Sequence, residues 1–182
     1  MKILCVSDSH LENDILKNIT NRYPTMDMYV HCGDSSLPIH NTLLTKYLVV
    51  KGNHDDADFQ EEIIVTIKNY RFLIIHGNKW SVYQGYDELL AYMKSNSIDI
   101  CFHGHSHVPT FYRQDNKTII NPGSTMINRA SYGFGTYAII TIEDSIAVDF
   151  YHHITHQKCT KLALEDGKKT LDAFKQLLKK KR

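Results

Sequence analysis

Five apolar, β-branched runs along this chain each end in a short polar block, and this pattern restricts the fold more than any other feature. The blocks are Asp8-Ser9-His10, Gly33-Asp34, Gly52-Asn53-His54-Asp55, His76-Gly77 and Gly104-His105-Ser106-His107. The carboxyl ends of strands in an α/β sheet meet at one edge, where ligand sites form. The pattern therefore predicts one site built from Asp, His and Asn side chains.

The first half of the chain alternates between strand and helix periodicity. Strands are expected at 2–7, 29–32 and 47–50, with helices at 11–22 and 38–46 between them. Alternation of this kind favours parallel strands joined by right-handed crossovers. A hairpin with strands 63–67 and 72–75 and its turn at Asn69-Tyr70 is expected next, followed by a helix at 86–95 and a strand at 98–103.

After residue 108 the pattern becomes antiparallel, because short strands are separated by Asp-Asn, Pro-Gly and Glu-Asp turns. The expected elements are strands at 110–113, 117–120, 136–142 and 146–154 and an amphipathic helix from Asp166, whose basic end, 179–182, is interpreted as solvated. Residues 1–182 are thus predicted to form a single α/β domain, a four-layer α/β/β/α sandwich. In it, two mixed β-sheets pack face to face with helices outside.

Bulk properties narrow the class of protein. The length of 182 residues suits one sizeable core, and the formal charge of +1 gives no general attraction to nucleic acid or to membranes. No apolar run is long enough to span a bilayer, and no secretory leader is expected. Four scattered cysteines without a CxxC pair indicate reduced thiols. We therefore expect a cytoplasmic protein.

The donor types in the polar blocks indicate the kind of ion. Imidazoles such as His105 and His107 suit Mn, Fe, Ni or Zn better than Mg or Ca. Asn53 would be a neutral oxygen ligand, and His54, which follows it directly, would point towards substrate. Each block alone also has an ordinary structural explanation, such as a helix cap, a tight turn or a polar strand end. The presence of five blocks in one short chain favours the metal site.

The ordered set D-x-H, GD, GNHD, H and GHxH resembles the calcineurin-like metallophosphoesterase superfamily. Within it, Gly104-His105-Ser106-His107-Val108-Pro109 followed by Asn121-Pro122-Gly123-Ser124 is similar to the small YfcE-like phosphodiesterases. The resemblance covers roughly residues 2–155 and implies a dinuclear metal-dependent phosphodiesterase with the four-layer fold.

The resemblance also implies a role for each site residue. One ion would be held by Asp8, His10, Asp34 and His107, and the other by Asp34, Asn53, His76 and His105, with Asp34 as the bridge. A hydroxide bridging the two ions would attack phosphorus, and His54 would bind a phosphate oxygen or protonate the leaving group. Mn is the first choice of ion, followed by Ni, Co, Fe or Zn.

Several residues are placed around this site. Asp55 would orient a neighbouring imidazole. Asn121 and Gly123 belong to a turn that either aims backbone donors at phosphate or packs beneath the metal loops. The aromatic residues that follow His76 either wall a substrate groove or pack in the core; they are Trp80, Tyr83 and Tyr86.

The remaining histidines are assigned structural positions. His31 is expected in a strand near the core and His40 at the surface. The HHxxH cluster of His152, His153 and His156 is not expected to bind metal, because neighbouring residues on a strand face opposite ways.

Two competing functions stay open. A retromer subunit shares this fold and acts as a protein-binding scaffold, but an unbroken ligand set argues against that role here. A nuclease or RNA-processing enzyme would want a basic groove, and Lys46, Lys51 and Arg129 are too scattered to form one. The expected partner is a small phosphodiester, with neither membrane nor nucleic acid indicated. Exposed apolar strands in the second half leave room for a homodimer.

Overall fold

The computed structural model describes residues 1–180, with side chains described as far as residue 178. The interpretation of the basic run 179–182 as solvated concerns side chains beyond residue 178 and therefore lies outside the described part of the chain. The elements, in chain order, are β1 (Lys2–Val6), α1 (Asn13–Arg22), β2 (Met28–His31), β3 (Leu48–Val49), β4 (Glu62–Ile67), β5 (Tyr70–Ile75), α2 (Asp87–Ser95), β6 (Ile100–Phe102), β7 (Thr110–Gln114), β8 (Lys117–Asn121), β9 (Thr136–Ile142), β10 (Ile146–His152) and α3 (Thr160–Lys180).

The strands form two five-stranded mixed sheets. The first has the order β10-β9-β1-β2-β3, and the second has the order β4-β5-β6-β8-β7. In the first sheet β1, β2 and β3 are parallel, and β9 and β10 run antiparallel to their neighbours. In the second, β5, β6 and β8 are parallel, and the edge strands β4 and β7 are antiparallel. The five polar blocks follow the carboxyl ends of five of these six parallel strands, all except β8.

The main core lies between the two sheets. Ile3 and Cys5 of β1 face this core, and the rings of Phe72 and Phe102 from the second sheet stack there with 6.0 Å between their centroids. The other face of each sheet is covered by a helix. Because the central strands are buried on both faces, their sequences are continuous apolar runs instead of alternating ones.

The two outer layers are built by α1 and α2. Leu16 and Ile19 of α1 pack with Leu4 on the outer face of the first sheet, and α2 covers the second sheet through Leu89 and Met93. These contacts confirm the predicted α/β/β/α arrangement. The third helix, α3, contacts edge strand β10 of the first sheet and edge strand β7 of the second. It therefore lies along one side of the sandwich, across both sheets.

Three predicted boundaries were wrong. The helix expected at 38–46 is only a 3₁₀ turn at Thr42–Leu44, where the side chain of Asn41 accepts a hydrogen bond from the backbone N of Leu43 instead of supporting a longer helix. Helix α3 begins at Thr160, not at Asp166, because its apolar stripe continues on the other side of Gly167. The β4–β5 turn falls at 68–69. Within the described chain, no helix combines the length and the apolarity that a bilayer crossing requires.

Candidate metal centre

The predicted site residues all follow carboxyl ends of parallel strands, at one end of the sandwich. Asp8 and His10 follow β1, Asp34 follows β2, and the Asn53-His54 pair lies just beyond β3. From the second sheet, His76 follows β5, and His105 and His107 follow β6. The structure therefore brings the two ligand-bearing halves together at the seam between the sheets.

Direct hydrogen bonds join the two sheets at this seam. The ring Nδ1 of His76 lies 2.7 Å from the carbonyl oxygen of Cys32 in the other sheet. The backbone N of His105 donates to Asp8 Oδ2 at 3.1 Å. Because each bond links a loop of one sheet to the other, the relative position of the two halves of the site is fixed by the fold.

The ligand loops have an unusual backbone. Five of the eight predicted residues have a positive φ, between 43° and 62°: Asp8, His10, Asp34, His105 and His107. Such a conformation costs a non-glycine residue roughly 1–2 kcal/mol and concentrates at functional sites. The loops are also packed too tightly for side chains at two glycines: a Cβ on Gly104 would lie 2.6 Å from Asp8 Oδ2, and one on Gly52 would overlap the Asp34 carboxylate.

Two groups of side chains present their ligand atoms within 4.8 Å of one another. The first is Asp8, His10 and His107, and the second is Asp8, Asp34 and His76. Asp8 therefore belongs to both groups. Asp34 Oδ2 lies 3.3 Å from His76 Nε2 and 4.0 Å from His10 Nε2, so it also lies between the groups.

Asn53 and His105 lie at the edge of the second group. Asn53 Oδ1 is 3.0 Å from His76 Nε2. The His105 ring is 5.2 Å from the His76 ring, measured between centroids, but His105 belongs to neither tight group.

The orientation of two imidazoles is characteristic of metal ligands. A carbonyl oxygen only accepts, so Nδ1 of His76 donates to Cys32, and Nδ1 of His107 donates to the Ile127 carbonyl at 3.3 Å. Nε2 of each ring then faces carboxylate oxygen: Asp34 Oδ2 in one case and Asp8 Oδ1, at 3.2 Å, in the other. A protonated ring donates its Nε2 proton to the facing carboxylate, and in a neutral ring of this tautomer the Nε2 lone pair is directed so that a cation bound by both groups takes the place of that proton.

Charges in the site match the protonation states that metal ligands need. Burial disfavours the charged form of Asp8, but the neighbouring His107 and His76 outweigh it and lower its pKa to about 2. Burial also works against ionised Asp34, yet hydrogen bonds from His76 and from the backbone N of His54 lower its pKa. Burial lowers the pKa of His105 to about 4. Two carboxylates and a neutral imidazole are therefore present at neutral pH.

His76 carries the opposite shift. Its burial alone would lower the pKa, but the carboxylates of Asp34 and Asp8 outweigh burial and raise it. The site is therefore negative enough to hold a positive charge at this position. Asp8 Oδ1 is also a fully buried oxygen without a hydrogen bond in the described part of the chain. This buried oxygen, which faces Nε2 of His107 at 3.2 Å and has carboxylate, amide and imidazole ligand atoms around it, fits a divalent transition-metal ion.

His54 lies on the open side of the site. Its side chain is exposed, its ring stands edge-on to His10 with 5.5 Å between centroids, and its backbone N donates to Asp34 Oδ1 at 2.7 Å. The backbone thus supports the Asp34 carboxylate, while the exposed imidazole lies beside the His10 ring.

Asp55 does not orient an imidazole, contrary to the prediction. Its carboxylate accepts hydrogen bonds from the backbone N of Asp34, Ser36 and Gly52 at 2.7–2.8 Å and from the Ser35 hydroxyl at 3.1 Å. Asp55 therefore holds the loop that carries Asp34 against the loop that carries Asn53.

Asn121 and Gly123 lie beneath the metal loops. The Asn121 amide donates to the Gly104 carbonyl at 2.8 Å and to the Ser106 hydroxyl at 2.9 Å, and its oxygen accepts from Gly123 N at 2.8 Å. Both residues are buried. Of the two alternatives given for this turn, the structure shows the one in which it packs beneath the metal loops, here the loop that carries His105 and His107.

Two serines that support Asp8 were not predicted from the sequence. Ser7 Oγ donates to Asp8 Oδ2 at 2.6 Å, and Ser124 Oγ donates to the Asp8 carbonyl at 2.8 Å. Ser124 belongs to the Asn121-Pro122-Gly123-Ser124 block, which was a usable signal. Nothing in the sequence distinguishes Ser7 from other serines.

The three aromatic residues after His76 have different positions. Tyr86 is buried and hydrogen-bonds to His103. Trp80 packs on Tyr92 with 4.9 Å between centroids, and it lines a cavity of about 250 Å³ that also touches His76. Tyr83 lies against the His105 ring at 5.4 Å.

The predicted positions of His31 and His40 are confirmed. His31 ends strand β2 in the core, and His40 is exposed. No group that could hold a metal ion includes a residue of the HHxxH cluster, as far as the described residues extend.

Comparison with known proteins gives consistent results over most of the chain. Residues 1–145 match the model of the calcineurin-like phosphoesterase superfamily domain. The probable metallophosphoesterase YsnB of Bacillus subtilis is 35% identical over 154 residues, which span 83% of this chain and 90% of that protein. A crystal structure of a conserved uncharacterised protein, a predicted phosphoesterase from Streptococcus pneumoniae, superposes with a TM-score of 0.82 at 28% identity, covering 87% of this chain and 92% of that one.

More distant structures share the fold alone. Vps29 from Entamoeba histolytica, solved in complex with Zn²⁺, has a TM-score of 0.68 at 18% identity, covering 87% of this chain and 96% of that one. The phosphoesterase YfcE from E. coli has a TM-score of 0.63 at 16% identity, covering 87% and 96%.

Proposed function

The chain belongs to the calcineurin-like phosphoesterase superfamily, and from this premise we propose that it is a dinuclear metal-dependent phosphodiesterase. The observation that carries the proposal is the pair of imidazoles, His76 and His107, whose Nδ1 atoms donate to backbone carbonyls while their Nε2 atoms face Asp34 and Asp8. Two histidines fixed in this way around two ionised carboxylates form a site for cations.

Each ion has a proposed set of ligands. One would take Asp8, His10, Asp34 and His107, and the other would take Asp34, Asn53, His76 and His105. Two divalent ions, with Mn as the first choice, would polarise the phosphate and activate a water molecule for attack. The place of Asp34 between His10 and His76 supports its role as the bridging ligand.

The protein's own side chains supply the remaining steps. Hydrolysis of a phosphodiester breaks one P–O ester bond, and the leaving alkoxide gains a proton. His54 is exposed on the open side of the site, where its imidazole would bind a phosphate oxygen or deliver that proton. Asp55 and Asn121 are buried and hold the ligand loops in place.

The preference for a diester rests on the resemblance of the Gly104–Pro109 and Asn121–Ser124 blocks to YfcE-like phosphodiesterases. We propose a small phosphodiester as substrate and the cytoplasm as location, which the buried free thiols of Cys5, Cys32 and Cys101 support. The homodimer stays a prediction.

The test is a turnover screen of chelated protein that is resupplied with Mn, Ni, Co, Fe or Zn separately. The substrates are bis(p-nitrophenyl) phosphate as diester and p-nitrophenyl phosphate as monoester. We expect turnover to return with Mn first and to be faster for the diester. An Asp34→Asn variant treated identically is the matched control and should stay inactive, because both ions lose a carboxylate ligand.

A protein-binding scaffold is the second candidate, favoured by the similarity in fold to Vps29. It predicts that wild-type protein stays inactive with every metal on both substrates, and that result would contradict the phosphodiesterase. A nuclease or RNA-processing enzyme predicts instead that an oligonucleotide is cleaved in preference to the small diester.

A further inference from the structure

An arginine lies beside the metal centre without a defined role. Arg129 is in the loop between β8 and β9, and its backbone N donates to the carbonyl of His107 at 2.9 Å. Its side chain is exposed and turns towards the other ligand of the same loop, His105. The guanidinium Nη1 donates to the hydroxyl of Tyr83, and the group lies 5.6 Å from the Tyr83 ring centroid.

Tyr83 fixes this guanidinium against the site. Its hydroxyl donates to the carbonyl of His105 at 3.1 Å, and the two rings meet edge-on with centroids 5.4 Å apart. The hydroxyl therefore accepts from Arg129 and donates to His105 at the same time. Through these contacts, the guanidinium of Arg129 is held beside His105, at the edge of the metal centre.

The charge of Arg129 has no carboxylate partner in the described structure. None of the ion pairs there includes this residue, although the adjoining site contains two aspartates. Its hydrogen-bond partner is a neutral phenol. A guanidinium has five N–H donors in a planar fork that matches phosphate oxygens. Most of those donors are therefore still available to an anion at the site.

The C-terminal helix supports both residues, although it lies beyond the 1–145 match to the family model. The Phe174 ring of α3 packs edge-on against Tyr83 with 5.2 Å between centroids. Asp166 of α3 accepts hydrogen bonds from the backbone N and hydroxyl of Ser131, two residues after Arg129, both at 2.7 Å. Helix α3 therefore restrains the loop of Arg129 from one side and Tyr83 from the other.

We propose that Arg129 anchors a non-bridging phosphate oxygen of the substrate at the His105 side of the metal centre, and that Tyr83 and Phe174 are its positioning residues. The proposal rests on the proposed function and adds a substrate-binding residue to it. In this proposal the guanidinium of Arg129 and the metal ions bind the negatively charged phosphate together.

The test compares Arg129→Ala and Arg129→Lys with wild type on bis(p-nitrophenyl) phosphate, with inorganic phosphate as inhibitor. In Arg129→Ala we expect kcat/KM to fall about 10- to 100-fold, the scale of one charged hydrogen bond, and phosphate inhibition to weaken by a similar factor. Metal content should be unchanged. Arg129→Lys should recover part of the loss, because it restores the charge but not the fork.

The matched control is Arg71→Ala, an exposed arginine at the start of β5, at the end of the strand away from the site. It removes the same charge and should leave KM and phosphate inhibition unchanged. Tyr83→Phe and Phe174→Ala should each raise KM severalfold. Neither should add to the loss in an Arg129→Ala background, since both act through Arg129.

The outcomes separate this proposal from the proposed function. If wild type is active and Arg129→Ala keeps its KM and phosphate inhibition, the anchor is wrong while the phosphodiesterase stands. If wild type is inactive, titration of metal-loaded protein with inorganic phosphate decides. Binding that is lost in Arg129→Ala supports the anchor, and binding that is absent in wild type or equal in both proteins overturns it.

Discussion

In two residues of the site, the backbone and the side chain have different roles. The backbone N of His54 supports Asp34, while its exposed imidazole stands beside His10. The backbone N of His105 similarly supports Asp8. Because the ligand loops support the carboxylates through main-chain atoms, a change in the imidazole of His54 leaves these bonds in place.

This division makes His54→Ala an informative substitution. The variant keeps the backbone bond to Asp34, so we expect metal content, measured by elemental analysis, to stay at the wild-type value. Diester turnover should fall by about 100-fold, the usual scale for loss of a general acid. His40→Ala, at another exposed histidine, is the control. Unchanged turnover in His54→Ala would remove this residue from the mechanism.

For Asp55, the sequence predicted a supporting role but not the group that it supports. Its position after Asn53 and His54 indicated a supporting role, and it does support the site. The partner was wrong, because its carboxylate accepts backbone N–H groups of the loop that carries Asp34, 21 residues away. Such a bond depends on how two loops meet in space, which local sequence does not specify.

At the scale of elements, helix α3 depends on a close approach to the loop after His107. Gly167 lies in the middle of this helix, and a Cβ there would be 2.6 Å from the Pro109 carbonyl oxygen. Glycine is normally unfavourable inside a helix. Its presence is explained by this contact, which lets α3 lie against the edge of the sandwich.

Gly167→Ala therefore sets two effects against each other. Helix propensity alone would stabilise the variant by about 1 kcal/mol. We expect the overlap with a backbone oxygen to outweigh that gain and lower the midpoint of urea unfolding. Lys169→Ala, at an exposed position of the same helix, is the control for propensity. A raised midpoint in Gly167→Ala would show that α3 moves away from Pro109 at little cost.

Elements differed in how well the sequence predicted them. Strands β1, β5 and β9 were placed correctly within two residues, because long apolar runs decide them locally. The segment 38–46 was predicted as a helix between two strands, but Pro38 and the Asn41 cap leave it only a 3₁₀ turn. Gly167 concealed the first turn of α3, since a glycine is permitted there only by contact with Pro109.

For the whole molecule, the two-sheet core buries histidines that do not belong to the ligand set. Burial lowers the pKa of His31 and of His103 to about 4, well below the ordinary value of 6.5. Between these values the unfolded chain takes up protons that the folded protein does not. Stability therefore falls as pH drops from 6.5 towards 4.

We expect His31→Gln to flatten this dependence. Between pH 6.5 and 5.0, one such histidine accounts for about 1.6 kcal/mol of unfolding free energy, so the variant should lose that much less than wild type. The slope is measured by urea unfolding at constant ionic strength. Asp8 does not contribute in this window, because its shift acts below pH 4. His40→Gln is the exposed control, and an equal slope in His31→Gln would contradict the assignment.

The sequence by itself determined the strands and the polar blocks at their ends, because strand periodicity and turn chemistry act between near neighbours. The order of strands and helices along the chain also indicated the four-layer arrangement. Only the tertiary structure decided which distant side chains come into contact. Asp8 belongs to both ligand groups, Asp55 binds the loop of Asp34, and Arg129 binds Tyr83, which is 46 residues away. These contacts form when two sheets and a helix pack together. Their geometry is set by the shape of the core and not by any local pattern.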